Sequence, residues 1–378
     1  MTDHRPPLRR LRSRAPLAAA ALLLAGVLAP AAAAAPAAGS PAHDAARPRP
    51  TATASAGVTA SRAEAARIDA YWTKARMRAA RAMPMPRAQH APKGAAGAPS
   101  TAGKPERPGT PRSVPGSAPE QVQRDSSGPE NATGPLQVPT ARRWGGQGMM
   151  PARSIGQLYF TTPVGDARCS AAVVSAENRD TVWTAGHCVH PGAGGKAAFY
   201  RNFVFVPDAG GGTEPYGRWT FRYAGTTPAW QNTGDWHYDV AALAFYPQAA
   251  RGDLEDTVGA QGIRFDGGTS FSDVFTFGYP LDGYRRTDLD GQDLWYCEGP
   301  VSPVGAADDT LVLRCDMGHG CSGGPWVAGL GLGRGWGWIV GVSSHRDTDS
   351  TGAWTNGLLY GTHQGTAAAR VYDDVSTH

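Results

Sequence analysis

Apolar and polar positions are distributed very differently in the two parts of this 378-residue chain. From Ser154 onward, short apolar or alternating runs are broken every few residues by Gly, Pro, Asp and Asn, the texture of an all-β sandwich or barrel. The runs predict strands at Gly156–Thr161, Ala171–Val174, Thr181–Thr184, Phe199–Val206, Trp219–Tyr223, Val240–Phe245, Val274–Gly278, Thr310–Cys315, Pro325–Val327 and Gly337–Ser343. Within this region a helix is expected only at the end, over Gln364–Asp373; the other expected helix lies near 59–81. A less apolar stretch over 246–270 divides the strand-rich region into halves of similar size, 154–255 and 256–378, and reads as an inter-domain connection.

The first 153 residues carry almost no core-forming runs, because Ala, Pro, Gly and Ser bury too little surface to offset chain entropy. Residues 36–153 are therefore expected to be a largely disordered linker. One island, 59–81, is rich in helix formers and contains Ile68, Tyr71, Trp72 and Met77. Five arginines between Arg5 and Arg14, an apolar run Leu17–Leu28 and small residues to Ala35 make 1–35 a secretory signal, the run being short for a membrane span. Export allows disulfides, and all five cysteines fall after residue 154.

Charge sharpens this division. The net +4 conceals 22 Lys+Arg against 8 Asp+Glu in 1–153, and 14 against 24 beyond. The basic charge thus lies outside the globular part, which argues against nucleic acid as a partner and against stable membrane association. A basic, partly helical segment ahead of an acidic domain is a candidate pro-segment, acting as intramolecular inhibitor or chaperone. Arg142-Arg143 and Arg153 are candidate processing points.

Three strings carry the chemistry. Thr184-Ala185-Gly186-His187-Cys188 places a histidine at a strand end, where an imidazole titrating near neutrality can serve as general base. One of ten histidines, taken alone, is more often a surface or core residue, and His190 lacks such a context. Tyr238-Asp239-Val240-Ala241-Ala242-Leu243 leads a carboxylate into an apolar strand, where it needs a hydrogen-bond partner such as imidazole Nδ1–H. Asp235, in a polar turn, is the competitor. Gly318-His319-Gly320-Cys321-Ser322-Gly323-Gly324-Pro325 is the most specific. Its glycines permit a tight turn that exposes a serine Oγ and aims the N–H groups of Gly320 and Ser322 at a developing oxyanion. A glycine-rich loop alone could equally be an anion nest or a plain turn.

Together the strings follow the order His, Asp, Ser. The region from about Ile155 to Asp373 resembles the chymotrypsin/trypsin-like serine peptidases, and within them the secreted bacterial, actinobacterial branch related to glutamyl endopeptidases. Cys169-Ser170-Ala171, Pro215-Tyr216-Gly217-Arg218-Trp219, Gly278-Tyr279-Pro280 and Cys315-Asp316-Met317 fit that branch. Tyr71-Trp72-Thr73 with Arg76-Met77-Arg78 resembles its pro-segments. The resemblance implies two antiparallel six-stranded β-barrels with the site in the cleft between them, His187 and Asp239 from the first and Ser322 from the second. It implies a secreted endopeptidase acting on protein or peptide substrates through an acyl-enzyme; the sequence carries no metal-ligand spacing, phosphate loop or nucleotide fingerprint, so no cofactor and no catalytic metal are expected. It also suggests disulfides Cys169–Cys188 and Cys297–Cys315, leaving Cys321 free, with Cys315–Cys321 as an alternative.

The pattern departs in places. Trypsin-like zymogens carry an acid just before the serine, whereas Cys321 stands there, and no Ile-Val-Gly-Gly string lies near residue 154. Occlusion by the pro-segment replaces the usual activation switch as the expected source of latency. Asp316, six residues before Ser322, occupies the position of the acid that selects Lys or Arg at P1. Ser344 and His345 match the strand lining the substrate channel. His345 faces the P1 side chain, as a histidine does in glutamyl endopeptidases, or sits at the rim. Two further classes are a catalytically silent binding protein on the same fold and an esterase using the same triad.

Overall fold

The computed structural model describes residues 57–85, 87–88, 106–120 and 140–378. The expected signal segment lies outside the described residues. Twelve strands, numbered β1 to β12 in chain order, form two closed antiparallel barrels of six. The first contains β1 (Ile155–Thr162), β2 (Gly165–Val173), β3 (Thr181–Thr184), β4 (Arg201–Pro207), β5 (Trp219–Thr226) and β6 (Ala241–Phe245). Its order is β5-β6-β3-β2-β1-β4, closed by β4 pairing back to β5. The second contains β7 (Phe271–Gly278), β8 (Trp295–Gly305), β9 (Asp308–Arg314), β10 (Pro325–Gly331), β11 (Trp336–Asp347) and β12 (Leu358–His363). Its order is β10-β7-β8-β9-β12-β11, closed by β10 on β11.

Alternation along the strands fills the interiors. Phe160, Phe203, Phe205, Phe245, Trp183 and Trp219 are fully buried in the cluster that contains the first barrel, and Trp326, Leu311 and Val274 in that of the second. The C-terminal helix forms at Thr366–Val375 and buries Val371, Tyr372 and Val375. Both implied disulfides, Cys169–Cys188 and Cys297–Cys315, are formed, and Cys321 is free and buried.

The island near 59–81 folds as two helices, α1 (Arg62–Tyr71) and α2 (Lys74–Ala79). Ser61 starts α1 with a capping box closed by Glu64, and Thr73 caps α2. Their shared apolar side docks on the first barrel through Ile68, Trp72 and Met77, all buried. Trp72 Nε1 donates to Asn202 O, so the indole enters the core without an orphan donor. Arg76 pairs with Asp166 at 3.0 Å. The expected electrostatic docking is thus present, but apolar burial dominates it, since an exposed ion pair contributes under about 1 kcal/mol and truncating a buried Trp costs about 3–5 kcal/mol.

Two more parts of the expected linker belong to the folded body. Arg112–Val114 pairs with Ile263–Phe265, and Arg112 grips Asp373 with both terminal nitrogens. Arg142–Arg143 pairs with Tyr296 and Trp295 on β8, and Trp144 is buried edge-on against Phe277 and Tyr296 at 5.3 Å each. Apart from Trp144, the Ala-, Pro- and Arg-rich composition here hides the pairing, because strand addition uses backbone groups that every residue type carries.

Candidate active site

His187 lies in the turn Gly186–Cys188 just after β3, and Asp239 caps the turn Trp236–Tyr238 just before β6. Because β3 and β6 are paired, the two turns leave the barrel side by side. His187 Nδ1 lies 2.8 Å from Asp239 Oδ2, and the His187 backbone N–H donates to Asp239 Oδ1 at 2.7 Å. Two bonds from one residue fix the carboxylate and the ring together. Trp230 packs edge-on against the imidazole.

Asp239 is completely buried, and burial alone would raise its pKa. The nearby His187 charge and ring, a hydrogen bond from Ser344 Oγ at 2.6 Å and the His187 N–H outweigh that, holding the carboxyl below its ordinary value. Ser344 belongs to β11, and Thr362 of β12 donates its hydroxyl to Asp239 O at 3.1 Å. The second barrel therefore braces an acid supplied by the first. Asp235, the competitor, bonds His237 Nδ1 at 2.9 Å instead, and His190 Nε2 meets Gly195 O.

Ser322 sits in the tight loop before β10. Its carbonyl accepts from Ser170 N at 2.8 Å, while Ser170 Oγ donates to Gly320 O and accepts from Tyr279 N. Ser170 of β2 thus ties the serine loop to the first barrel beside the Cys169–Cys188 disulfide. His319 O accepts from Leu281 N and Cys321 O from Gly324 N. Peptide planes are trans, so the N–H groups of Gly320 and Ser322 point away from those bonds. Among the described residues neither N–H finds an acceptor. Gly320 has φ +98°, and a Cβ there would meet Tyr279 O at 2.5 Å, which only glycine avoids. Gly323, at φ +75°, lies against Thr184 Oγ1 and Ser170 O, so its Cα approaches β2 and β3 where a side chain would block it.

Ser322 Oγ and His187 Nε2 are both buried, and among the described residues neither has a hydrogen-bond partner. Each is a polar atom of the kind that reacting groups leave open.

The specificity candidates are placed less simply. Asp316 is fully buried and its carboxylate is already engaged: it accepts from Thr140 N at 3.0 Å and Ala141 N at 2.9 Å and pairs with Arg286 at 3.0 Å. These contacts leave no open face for a substrate cation. His345 is buried, stacked on Tyr360 at 5.1 Å and tilted against Trp236, with Nδ1 3.1 Å from Ser344 Oγ. Sequence reasoning missed Ser170, Arg286 and Arg346. Arg346 is buried and donates to Cys315 O, Met317 O and Asn356 O, bracing the segment just beyond β9 in which Asp316 lies. Ser170 lies in a string quoted above but without a role, and Arg286 and Arg346 stand in no motif; most of the groups they hold, such as Asp316, Cys315 O and Met317 O, lie about 30 residues away in the sequence.

A further cluster bridges the barrels. His237 Nε2 lies 3.2 Å from Asp308 of β9, and burial, which favours neutral imidazole, is outweighed by Asp235 and Asp308, raising its pKa to about 9. The ligand atoms of His237, Asp308 and Asp309 lie within 4.8 Å of one another, but both His237 nitrogens are already engaged.

Paired six-stranded antiparallel barrels of this topology define the chymotrypsin-like class of serine protease fold. No protein-family model matches the chain, and no curated protein does. Solved structures do. The chain is similar to protease Anisep from Arthrobacter nicotinovorans, 29% identical with a TM-score of 0.53 over 61% of this chain and 98% of that one. It is likewise similar to the thermostable serine protease AL20 from an extremophilic microorganism, 31% identical with a TM-score of 0.53 over 60% of this chain and 98% of that one. The chain belongs to the chymotrypsin-like serine proteases.

Proposed function

We propose that the protein is an exported serine endopeptidase in which Ser322 is the nucleophile, His187 the general base and acid, and Asp239 the residue that orients the imidazole. The observation that carries this reading is a doubly bonded His187–Asp239 unit together with a buried Ser322 Oγ and a buried His187 Nε2 that hydrogen-bond to no described group. In the first half-reaction Ser322 Oγ attacks the scissile carbonyl carbon as its proton passes to His187 Nε2. The N–H groups of Gly320 and Ser322 take the resulting oxyanion. His187 returns the proton to the amine nitrogen, the C–N bond breaks, and an ester to Ser322 remains. Water then attacks the ester, giving its proton to His187, and the C–O bond to Ser322 breaks with reprotonation of Oγ. Asp239 stays ionised throughout and stabilises the imidazolium.

Two disulfides support export into an oxidising compartment. Among the described residues no helix is long and apolar enough to cross a membrane. Asp316 acts in this reading as a structural anchor, and P1 selection rests on other groups. The test is fluorophosphonate labelling of the secreted, processed protein with a Ser322→Ala control. Labelling at Ser322 that disappears in the control is expected; absence of labelling in folded, processed protein sinks the reading.

A further inference from the structure

Arg168, on β2 directly opposite Tyr159 of β1, is a buried cation without a counter-ion. The residue is 5% exposed, its Nε has no hydrogen-bond partner, and among the described residues no carboxylate lies within ion-pair distance of it. Tyr159 offers it only a neutral hydroxyl, whose proton is given to Gln157 Oε1. The nearby acids are engaged elsewhere: Asp166 pairs with Arg76 at 3.0 Å, Glu214 with Arg218 at 3.3 Å and Asp293 with Arg143 at 2.8 Å. A guanidinium keeps its proton at any ordinary pH, so this charge cannot escape burial by neutralising, as a buried Lys or His would. Stripped of water and unpaired, it is among the costliest groups a fold can hold.

The surroundings keep room for a group that answers this charge. Arg168 lines a cavity of about 20 Å³ between the first barrel and α2, larger than the roughly 10–15 Å³ that one water needs. Gly291 gives the guanidinium its place: its φ is +70°, and a Cβ there would meet Nη2 at 2.3 Å. Gln157 fixes that loop by donating Nε2 to Gly291 O at 2.6 Å. Lys74 and Arg78 of α2 line the same cavity, and among the described residues neither pairs with a carboxylate. Three cations from two elements thus converge on one small space, whose single wall acid, Glu214, already serves Arg218. Like charges gathered in this way repel, yet α2 docks here through the buried Met77.

We propose that this cavity is a binding site for a small inorganic anion of the halide class, with chloride as the ordinary occupant, held by Arg168 together with Lys74 and Arg78. The site is independent of the catalytic reading. Its size suits a single-atom anion of about the bulk of a water. Arg168 supplies most of the hold, because a charge withdrawn from solvent is screened far less than the exposed Lys74 and Arg78. One anion shared by β2 and α2 turns the repulsion between their cations into attraction. The grip of the α1–α2 unit on the first barrel therefore depends on the halide concentration around the protein.

The test uses the full chain carrying Ser322→Ala, so that it stays uncut. Melting temperature is measured in sodium chloride, sodium sulfate and sodium gluconate at equal ionic strength, and chloride binding is read directly from the width of the chloride NMR line. Chloride at about ten times its Kd should raise the melting temperature by about 3–6 °C over gluconate, and the line should broaden saturably. With Arg168→Gln added, both responses should vanish, while the melting temperature in gluconate should match or exceed that of the parent, because the unanswered buried charge is gone. Arg78→Gln, at an exposed position that the fold tolerates, should weaken chloride binding by about two- to fivefold. Equal melting temperatures in the three salts with no line broadening overturn the proposal. An Arg168→Gln chain destabilised equally in chloride and gluconate also overturns it, since the arginine would then serve only as packing.

Discussion

Ser344 Oγ donates to Asp239 Oδ2 over 2.6 Å, joining a residue of the second barrel to the acid of the first. The bond leaves Oδ2 facing both Ser344 and His187, so the acid's orientation depends on how the barrels sit together. A hydrogen bond to a charged group is worth about 1.5–3 kcal/mol, or about ten- to a hundredfold in rate if it serves the transition state. In Ser344→Ala we expect kcat to fall by that factor with KM little changed, and Ser344→Thr to recover most of it. A fall in stability with kcat intact, measured on a peptide substrate, would make the bond merely structural.

Asp316→Asn tests whether the buried carboxylate is anchor or pocket floor. Removing its charge takes from Arg286, whose side chain is 4% exposed, the buried one of its two carboxylate partners, leaving the exposed Asp288. Breaking a buried pair costs about 3–5 kcal/mol. A lower urea midpoint is expected, with the ratio of cleavage after Arg to cleavage after Leu unchanged. A collapse of that ratio at unchanged stability would restore Asp316 as the P1 selector.

The three motif strings were legible because the geometry they need is local: a strand end, a strand-capping acid and a glycine-rich turn. Ten of the twelve barrel strands were legible for a similar reason, each holding its own apolar run. The two that were not are Trp295–Gly305, interrupted by Glu298, Gly299, Pro300 and Pro303, and Leu358–His363, which carries Gly361. Both are secured by pairing partners on either side, a signal spread over distant residues. Asp316 shows the same limit from another side. Its position relative to Ser322 is a sequence fact, but Arg286 and the Thr140–Ala141 amides that occupy it come from 30 and about 176 residues away.

His237 should make stability depend on pH in a definite window. Its folded pKa is raised to about 9, so its pairing with Asp235 and Asp308 stabilises fully below the ordinary value near 6.5 and is lost as pH rises through about 9. The difference in urea midpoint between wild type and His237→Gln is expected to be large at pH 6 and to shrink by pH 9.5. A difference independent of pH would mean that the imidazole contributes only packing.

Cys321 should be chemically silent despite standing beside the nucleophile. Burial pushes its thiol up to about 12, so almost no thiolate exists at neutral pH. Without reductant, iodoacetamide should add nothing to the native protein and one carbamidomethyl group after unfolding, read by intact mass. Rapid alkylation of the native chain would show that the loop opens.

The arm at Thr140–Trp144 precedes the first barrel in the chain but pairs with the second, through β8 and the carboxylate of Asp316. During synthesis it emerges more than a hundred residues before its partners on β8, so the first barrel can close while the arm that leads into it hangs loose. The last stitch of the second barrel is then made by one of the earliest pieces of the globular region. Truncation at Arg143 or Arg153 would consequently damage the half of the molecule farther along the chain, the one that carries Ser322.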